Sequence, residues 1–310
     1  LEKPPYRGEY AQSRPQLKTN EHYPMENLPK ISVVTPSFNS IHTIRETIES
    51  VLKQNYPNLE HIVMDGGSTD GTLELLKSYP HLKLISEKDE GHYHAMNKGI
   101  QMATGEAIAI LNADDCYCDG ILKKIGAALA AHPEWDGVFG DMIFVDDNGK
   151  EIFRREEACW DPQIVRLGFG IGQHQTLFIR KKTYDRLGLL RHKDFKNTCD
   201  YEFLMRMAQA KCKIGNVHDY VVRYRYHQHG QSADKRVLEN MKRECDQIRR
   251  EYGVPGGAVG KLLIQYARLK RQVEKLFILG KCDLMPGHWH LKKHMREKTE
   301  FSSNIGLDKL

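Results

Sequence analysis

The sequence predicts an α/β domain on a mostly parallel sheet with flanking helices, extended at its C-terminus by basic helices. Three observations predict it. Over the first 115 residues, short β-type runs alternate with helix-periodic segments, the pattern of parallel strands joined by crossover helices. Each of those runs ends in polar or glycine residues. Beyond 115 the alternation gives way to a hairpin signal and then to long three-four spacing.

Taken in order, residues 1–29 carry Pro4, Pro5, Pro15, Pro24 and Pro29 with little periodicity and read as an irregular arm. Residues 31–35 form the first strand, broken by Pro36-Ser37-Phe38-Asn39. A helix follows with Ile41, Ile44, Ile48, Val51 and Leu52 on one face and Asn39 or Ser40 as N-cap. Residues 60–64 are the second strand, running into Asp65-Gly66-Gly67-Ser68-Thr69-Asp70-Gly71 and a short helix at 72–79. A third strand at 82–86, a helix from His92 to Ala103 and a fourth strand at 107–111 complete the alternation. Asn148-Gly149 between 138–145 and 151–154 signals a hairpin. Strands at 175–179, 214–217 and 220–226 enclose a helix at 200–210 with Phe203, Leu204, Met207 and Ala208 inward. The main domain is expected over 30–230, with a break near 118, and the helical extension over 231–310.

Bulk properties narrow the classes. With 310 residues, 40% hydrophobic and 28% charged, the chain has material for a sizeable core. No apolar run approaches the roughly 18 residues of a membrane span, and the first residues lack a signal-peptide layout, so a cytoplasmic location is expected. Seven cysteines without a C-x-x-C pair read as reduced thiols, not a disulfide or zinc framework. Of the net charge of +5, residues 221–310 hold +9 (nineteen Lys+Arg, ten Asp+Glu) and the rest −4. No zinc-finger, helix-turn-helix or RNP-like pattern supports nucleic acid as the partner of that basic segment.

Asn112-Ala113-Asp114-Asp115 closes the fourth strand. Two adjacent carboxylates repel unless a cation lies between them; a hard divalent ion, Mn²⁺ or Mg²⁺, commonly completes its shell there with substrate phosphates. A solvated Asp-Asp turn is the alternative. Four polar strand ends, at 36–39, 65–70, 87–91 and 112–115, converge on one edge, which is where such sheets bind ligands.

The opening strand and loop at 31–39, the segment Val63–Thr72, the run Gly91–Gly105 with Leu111–Asp115, and the segments 172–179 and 199–203 together resemble the inverting family 2 glycosyltransferases, in order over 31–230. The resemblance implies a GT-A fold, a Rossmann-like sheet with a nucleotide half at 30–118 and an acceptor half at 119–230. It implies a nucleotide-sugar donor, UDP-linked by expectation, and an acceptor hydroxyl on a saccharide or lipid-linked saccharide, as in cell-surface polysaccharide or glycolipid assembly. Pro36, Ser37, Phe38 and Asn39 then wall the base, and Asp65 hydrogen-bonds it. Gly91, Asn97, Lys98, Asn112, Ala113 and Asp114 contact the donor, and Asp114 with Asp115 holds the metal, joined by His227 or His229. Asp200 matches the general base, and Gln173, His174 and Glu202 stand near sugar or acceptor. The chain departs from the pattern at Asn112, where an Asp is usual, at His94, and at Cys199, where many relatives carry Glu. A nucleotidyltransferase is the competing enzyme class, but the first loop lacks its Gly- and Lys-rich phosphate cradle. A non-catalytic nucleotide- or sugar-binding scaffold is the other alternative. The 259–279 helix is expected to cap the domain, pair with a second copy, or lie on an anionic membrane surface.

Overall fold

The computed structural model describes residues 27–167, 173–226 and 235–279. The chain begins with β1 (Ile31–Ser37), α1 (Ile44–Leu52), β2 (Leu59–Asp65), α2 (Thr72–Lys77), β3 (Leu82–Ser86), α3 (His92–Met102) and β4 (Ala107–Ile110). It continues with β5 (Cys116–Tyr117), α4 (Ile121–Ala131), β6 (Gly137–Val145), β7 (Glu151–Arg155), α5 (Pro162–Arg166), β8 (Phe178–Arg180), α6 (Lys181–Leu187), α7 (Cys199–Gln209) and β9 (Ile214–Arg225). Two helices follow, α8 (Lys235–Glu251) and α9 (Gly257–Leu279).

Side-chain alternation along the strands builds apolar clusters on both faces of the sheet, with a smaller one of Ile44, Ile48, Val63 and Leu76. Ile31, Val33, Ala107 and Ala109 join Leu122, Ile125, Leu129 and Phe178 on the face covered by α4. Val34, Ile108 and Ile110 join Met96, Ile100, Phe203 and Met207 on the face covered by α3 and α7. The sheet order is β3-β2-β1-β4-β8-β6-β9-β5, with β7 added on β6. The first four strands are parallel, as the alternation predicts; β8 runs antiparallel to both β4 and β6. α3 presses close because residue 99 is glycine: a Cβ there would stand 2.3 Å from Val34 Cγ1.

Several expected boundaries move. β1 continues through Pro36 and Ser37, in register with Met64 and Asp65. A proline fits there because its missing N–H faces the β4 side, and β4 has already ended opposite Val34. Helix α1 starts at Ile44, capped by Thr43 without a side-chain bond, and Leu52 is exposed. Gln175 lies in a 3-10 turn, His174–Thr176, and the strand begins only at Phe178. The two segments expected at 214–226 are one strand, irregular where His218 takes φ 51°.

The basic extension is joined to the domain. Glu244 of α8 accepts from the amides of Lys196 and Asn197, both at 3.0 Å, and from Thr198 Oγ1 at 2.8 Å, fixing the segment that leads into α7. Arg271 of α9 is buried against Glu157 and donates to the Cys159 carbonyl at 3.2 Å, and Lys270 pairs with Asp161. No helix among the described residues is long and apolar enough to cross a membrane.

Candidate active site

At the top of β1, Phe38 is 63% exposed, while Pro36 and Ser37 are buried within the strand, so the expected wall reduces to Phe38 and Asn39. Asn39 takes φ 48°, a left-handed conformation that asparagine tolerates. Its Oδ1 accepts from Thr69 N–H at 2.9 Å and its own amide donates to Ser68 Oγ at 2.8 Å. Asp65 is buried at 2% exposure and anchors its own turn. Its Oδ2 accepts from the amides of Gly67 and Ser68, at 3.2 and 3.1 Å, and from Ser86 Oγ at 2.6 Å, while Ser68 Oγ donates to Oδ1. The carboxylate open to this end of the crevice is Asp89, which the sequence reading passed over. Its Oδ2 lies 2.7 Å from where a Cβ on residue 66 would stand, and the Phe38 ring lies 3.3 Å from the same point. Gly66 thus leaves a cradle between an aromatic face and an acid. An Asp in the Glu87–Gly91 strand end, followed by a glycine, was the available signal.

Three expected contacts are corrected. Asn97 is buried, with Oδ1 accepting from Leu190 N–H at 3.0 Å and Nδ2 bound to Leu190 O at 2.7 Å and His192 Nδ1 at 2.9 Å; it joins α3 to the 190–192 segment. Lys98 pairs with Glu87 at 2.9 Å, joining α3 to the end of β3. Glu202 is fully buried, receiving Arg206 Nε at 3.0 Å and Tyr252 OH at 2.6 Å, because two residues along a helix from Asp200 it faces the interior. His94 stacks on His192 with ring centres 4.9 Å apart.

After β4, the chain turns through Asn112–Asp115, and Thr43 Oγ1 donates to Ala113 O at 2.8 Å. Asp114 is half-buried; Asp115 is completely buried. Asp115 Oδ1 accepts from the Arg225 amide at 2.9 Å and Oδ2 has no hydrogen-bond partner. Burial, reinforced by the neighbouring Asp114 charge, raises its pKa well above the ordinary carboxylate range. The guanidinium of Arg225 donates to Asp114 O at 3.2 Å and Asp147 O at 2.7 Å and pairs with Glu46, pinning the turn to the hairpin and to α1. A divalent cation bound through one carboxylate plus substrate phosphates fits Asp114. Asp115 is completely enclosed, so Asp114 is the more accessible of the two carboxylates. Among the described residues no group of three or more His, Cys, Asp or Glu side chains is placed to hold a metal by itself. His227 and His229 lie outside the described residues.

The opposite wall carries Asp200, in the first turn of α7 and about a third exposed. Thr198, not Asp200, occupies the N-cap position. Asp200 Oδ1 accepts from Tyr93 OH at 3.0 Å and Tyr201 N–H at 2.8 Å, and Oδ2 lies 3.2 Å from His174 Nδ1. Burial pushes the carboxyl pKa up, but the His174 bond and charge, the Tyr201 amide and the Tyr93 hydroxyl outweigh it, leaving the pKa below its ordinary value. Burial and the Asp200 charge drive the Tyr93 phenol far above its usual range, so Tyr93 stays a donor. His92, packed on the Tyr93 ring, is pushed down to about 4, chiefly by burial, and is neutral near pH 7. The other nitrogen of His174, Nε2, lies 3.3 Å from Asn112 Oδ1. One imidazole therefore spans the crevice from the Asn112 turn to the α7 carboxylate. Behind it, Met96, Ile110, Leu177 and Phe203 make an apolar wall. Gln173 is half-buried at the start of the same turn, where its carbonyl accepts from Thr176 N–H at 2.9 Å.

The chain is similar to known proteins in sequence and in fold. An uncharacterized glycosyltransferase of Haemophilus influenzae is 29% identical over 222 residues, covering 66% of this chain and 67% of that protein. The structure of S. aureus TarS 1-349 in complex with UDP superposes with a TM-score of 0.53 at 20% identity, covering 81% of this chain and 92% of that one. The same TarS fragment in complex with UDP-GlcNAc gives 0.52 at 18% identity, covering 80% and 84%. A mannosyltransferase from Pyrobaculum calidifontis, PcManGT, in complex with GDP-Man and Mn²⁺, gives 0.50 at 17% identity, covering 82% and 86%. At those identities the structural likeness speaks for the GT-A fold alone. The family model described as Glycosyl transferase family 2 matches residues 32–209, from the second residue of β1 to the last of α7. That span takes in every strand end and every side chain of the crevice except Arg225, and the chain belongs to glycosyl transferase family 2.

Proposed function

We propose that the protein transfers a sugar from a nucleotide-sugar, a UDP-sugar by preference, to an acceptor hydroxyl on a saccharide or lipid-linked saccharide, with inversion at the anomeric carbon. The observation that carries this reading is Asp200, an ionised, partly exposed carboxylate across the crevice from Asn112 and Asp114.

The base of the donor stacks on Phe38 above Gly66, and Asp89 accepts its imide N–H, which cytosine does not offer. TarS with UDP and UDP-GlcNAc, and PcManGT with GDP-Man and Mn²⁺, support a nucleotide-sugar and a divalent ion in this fold. Asp114 would hold Mn²⁺ or Mg²⁺, which would draw charge off the departing diphosphate. Asp200 takes the acceptor hydroxyl proton as that oxygen forms its bond to the anomeric carbon and the bond to the diphosphate breaks. Tyr93 and His174 aim the carboxylate, and the apolar wall behind it limits water. The basic surface of the extension suits an acceptor or membrane face of negative charge, and the site of action is the cytoplasmic side.

A panel of nucleotide-sugars with Mn²⁺, scored by thermal shift and donor hydrolysis, tests the reading. A selective response to UDP-sugars is expected. No response to any member with or without metal would overturn it.

A further inference from the structure

α9 docks by one face only. Ala267 and Arg271 are buried beneath it and Lys270 is held by Asp161. The face turned away from the domain carries Val259, Leu262, Tyr266, Leu269, Val273 and Leu276, each 43–66% exposed. Among the described residues nothing covers them. Their spacing is 3-4-3-4-3 over eighteen residues, two exposed apolar positions in every seven, with half-buried Leu263 beside them.

We infer that this stripe is the seam of a parallel two-stranded coiled coil with a second copy of the same chain. Read as heptads, Val259, Tyr266 and Val273 take the first core position, and Leu262, Leu269 and Leu276 take the second. Two of the three first-position residues are β-branched valines and all three second-position residues are leucine, and β-branched residues at the first with leucine at the second favour two parallel strands. Gln265 and Gln272 flank the leucine side, so Gln265 meets Lys270 of the other copy and no like charges face each other. Covering the six side chains removes about 600 Å² per copy, or about 1,200 Å² for the pair, the lower bound for a specific interface. A lipid surface fits less well: a helix lying in a membrane interface presents a wider apolar face, and here one flank of the stripe carries Gln265 and Gln272.

The full-length chain tests this by sedimentation across about 1–100 µM, with vesicle flotation on phosphatidylglycerol/phosphatidylcholine liposomes alongside. The wild type is expected to move from monomer to dimer over that range. L269E is expected to remain monomeric at every concentration, with its thermal midpoint equal to the wild type's at the dilute end, where both are single copies and Leu269 is exposed. V273C is expected to crosslink to its own mate under mild oxidation, identified by peptide mass, since first-position residues lie opposite one another only in the parallel arrangement. A wild type that stays monomeric at 100 µM overturns the inference, as does a dimer that survives L269E. A chain that floats as a monomer with anionic vesicles, and stops floating in L269E, replaces the coiled coil with a membrane contact. A dimer without the V273C crosslink overturns the parallel seam.

Discussion

Replacing Asp200 by Asn is the most direct probe of the chemistry. The amide keeps the size of the carboxylate and an oxygen that can still accept from Tyr93 OH and Tyr201 N–H, so α7 should retain its start. The amide cannot accept a proton. Loss of a general base costs roughly 10²–10⁴ in rate, about 3–5 kcal/mol in the transition state. In the wild type, His174 and the two donors on Oδ1 hold the carboxyl below its ordinary pKa, so the base is ionised across the neutral range. The acid limb of the wild-type rate should accordingly fall below the ordinary aspartate value, with activity lost as pH drops through the lowered pKa. D200N should show the rate loss in kcat, with donor Kd by calorimetry unchanged, because the carboxylate acts on the acceptor proton. NMR of the wild-type product should show the anomeric configuration opposite to the donor's. Normal turnover by D200N, or retained configuration in the product, refutes the mechanism, and buried Glu202 offers no substitute base.

Tyr93→Phe removes one donor from Asp200, so the acid limb of the pH–rate profile should move up, with a kcat loss of roughly tenfold; an unmoved limb would show that the phenol does not tune the base. Asp114→Ala should lose metal-dependent UDP binding in calorimetry with little change in melting temperature. Asp115→Ala should lower stability by about 1–3 kcal/mol, by leaving the Arg225 amide unpaired in the interior; the reverse pattern would return the metal to Asp115. Glu60 is buried between Ser32, Lys83 and Thr104, whose bonds overcome the burial that would raise it and bring its pKa down to about 2. That depressed pKa adds stability above about pH 4.5 that is lost as pH falls towards 2. The contribution is about 2 kcal/mol once screening of half-exposed Lys83 is allowed for. Glu60→Gln should flatten acid denaturation between those pH values, and an unchanged curve would deny Glu60 that role.

The residues themselves show why part of this was legible. Alternation of strands and helices, the Asn-Gly hairpin and the polar strand ends depend on local periodicity and turn chemistry, and they stand where the sequence puts them. Asp200 and His174 could be matched to a pattern, but their mutual bond joins residues 26 positions apart and depends on how α7 meets the 174–176 turn. Tyr93 reaches Asp200 across 107 residues, and Arg225 reaches the Asp114–Asp115 turn across 110 or more, distances over which periodicity carries no information. Asp65 and Asp89 look alike in the sequence. Only the turn geometry shows that the first spends its oxygens on its own loop and the second does not lie enclosed. The 259–279 segment carried its seven-residue repeat openly, yet which face docks was settled by Glu157, Cys159 and Asp161 from another part of the chain.

The early end of β4 gives the crevice a floor with two levels. β4 stops opposite Val34, whereas β1, β2 and β3 finish together three positions farther on, at Ser37, Asp65 and Ser86. At about 3.3 Å of rise per residue, that stagger is a step of roughly 10 Å. Phe38, Gly66 and Asp89 follow the upper strand ends, and the Asn112 turn, bonded to His174, follows the lower one. A rigid, flat molecule bridges such a step poorly. An occupant needs a planar head for the upper tread, a bendable joint at the riser, and a second group below, so the staircase measures the length and flexibility of whatever lies across it.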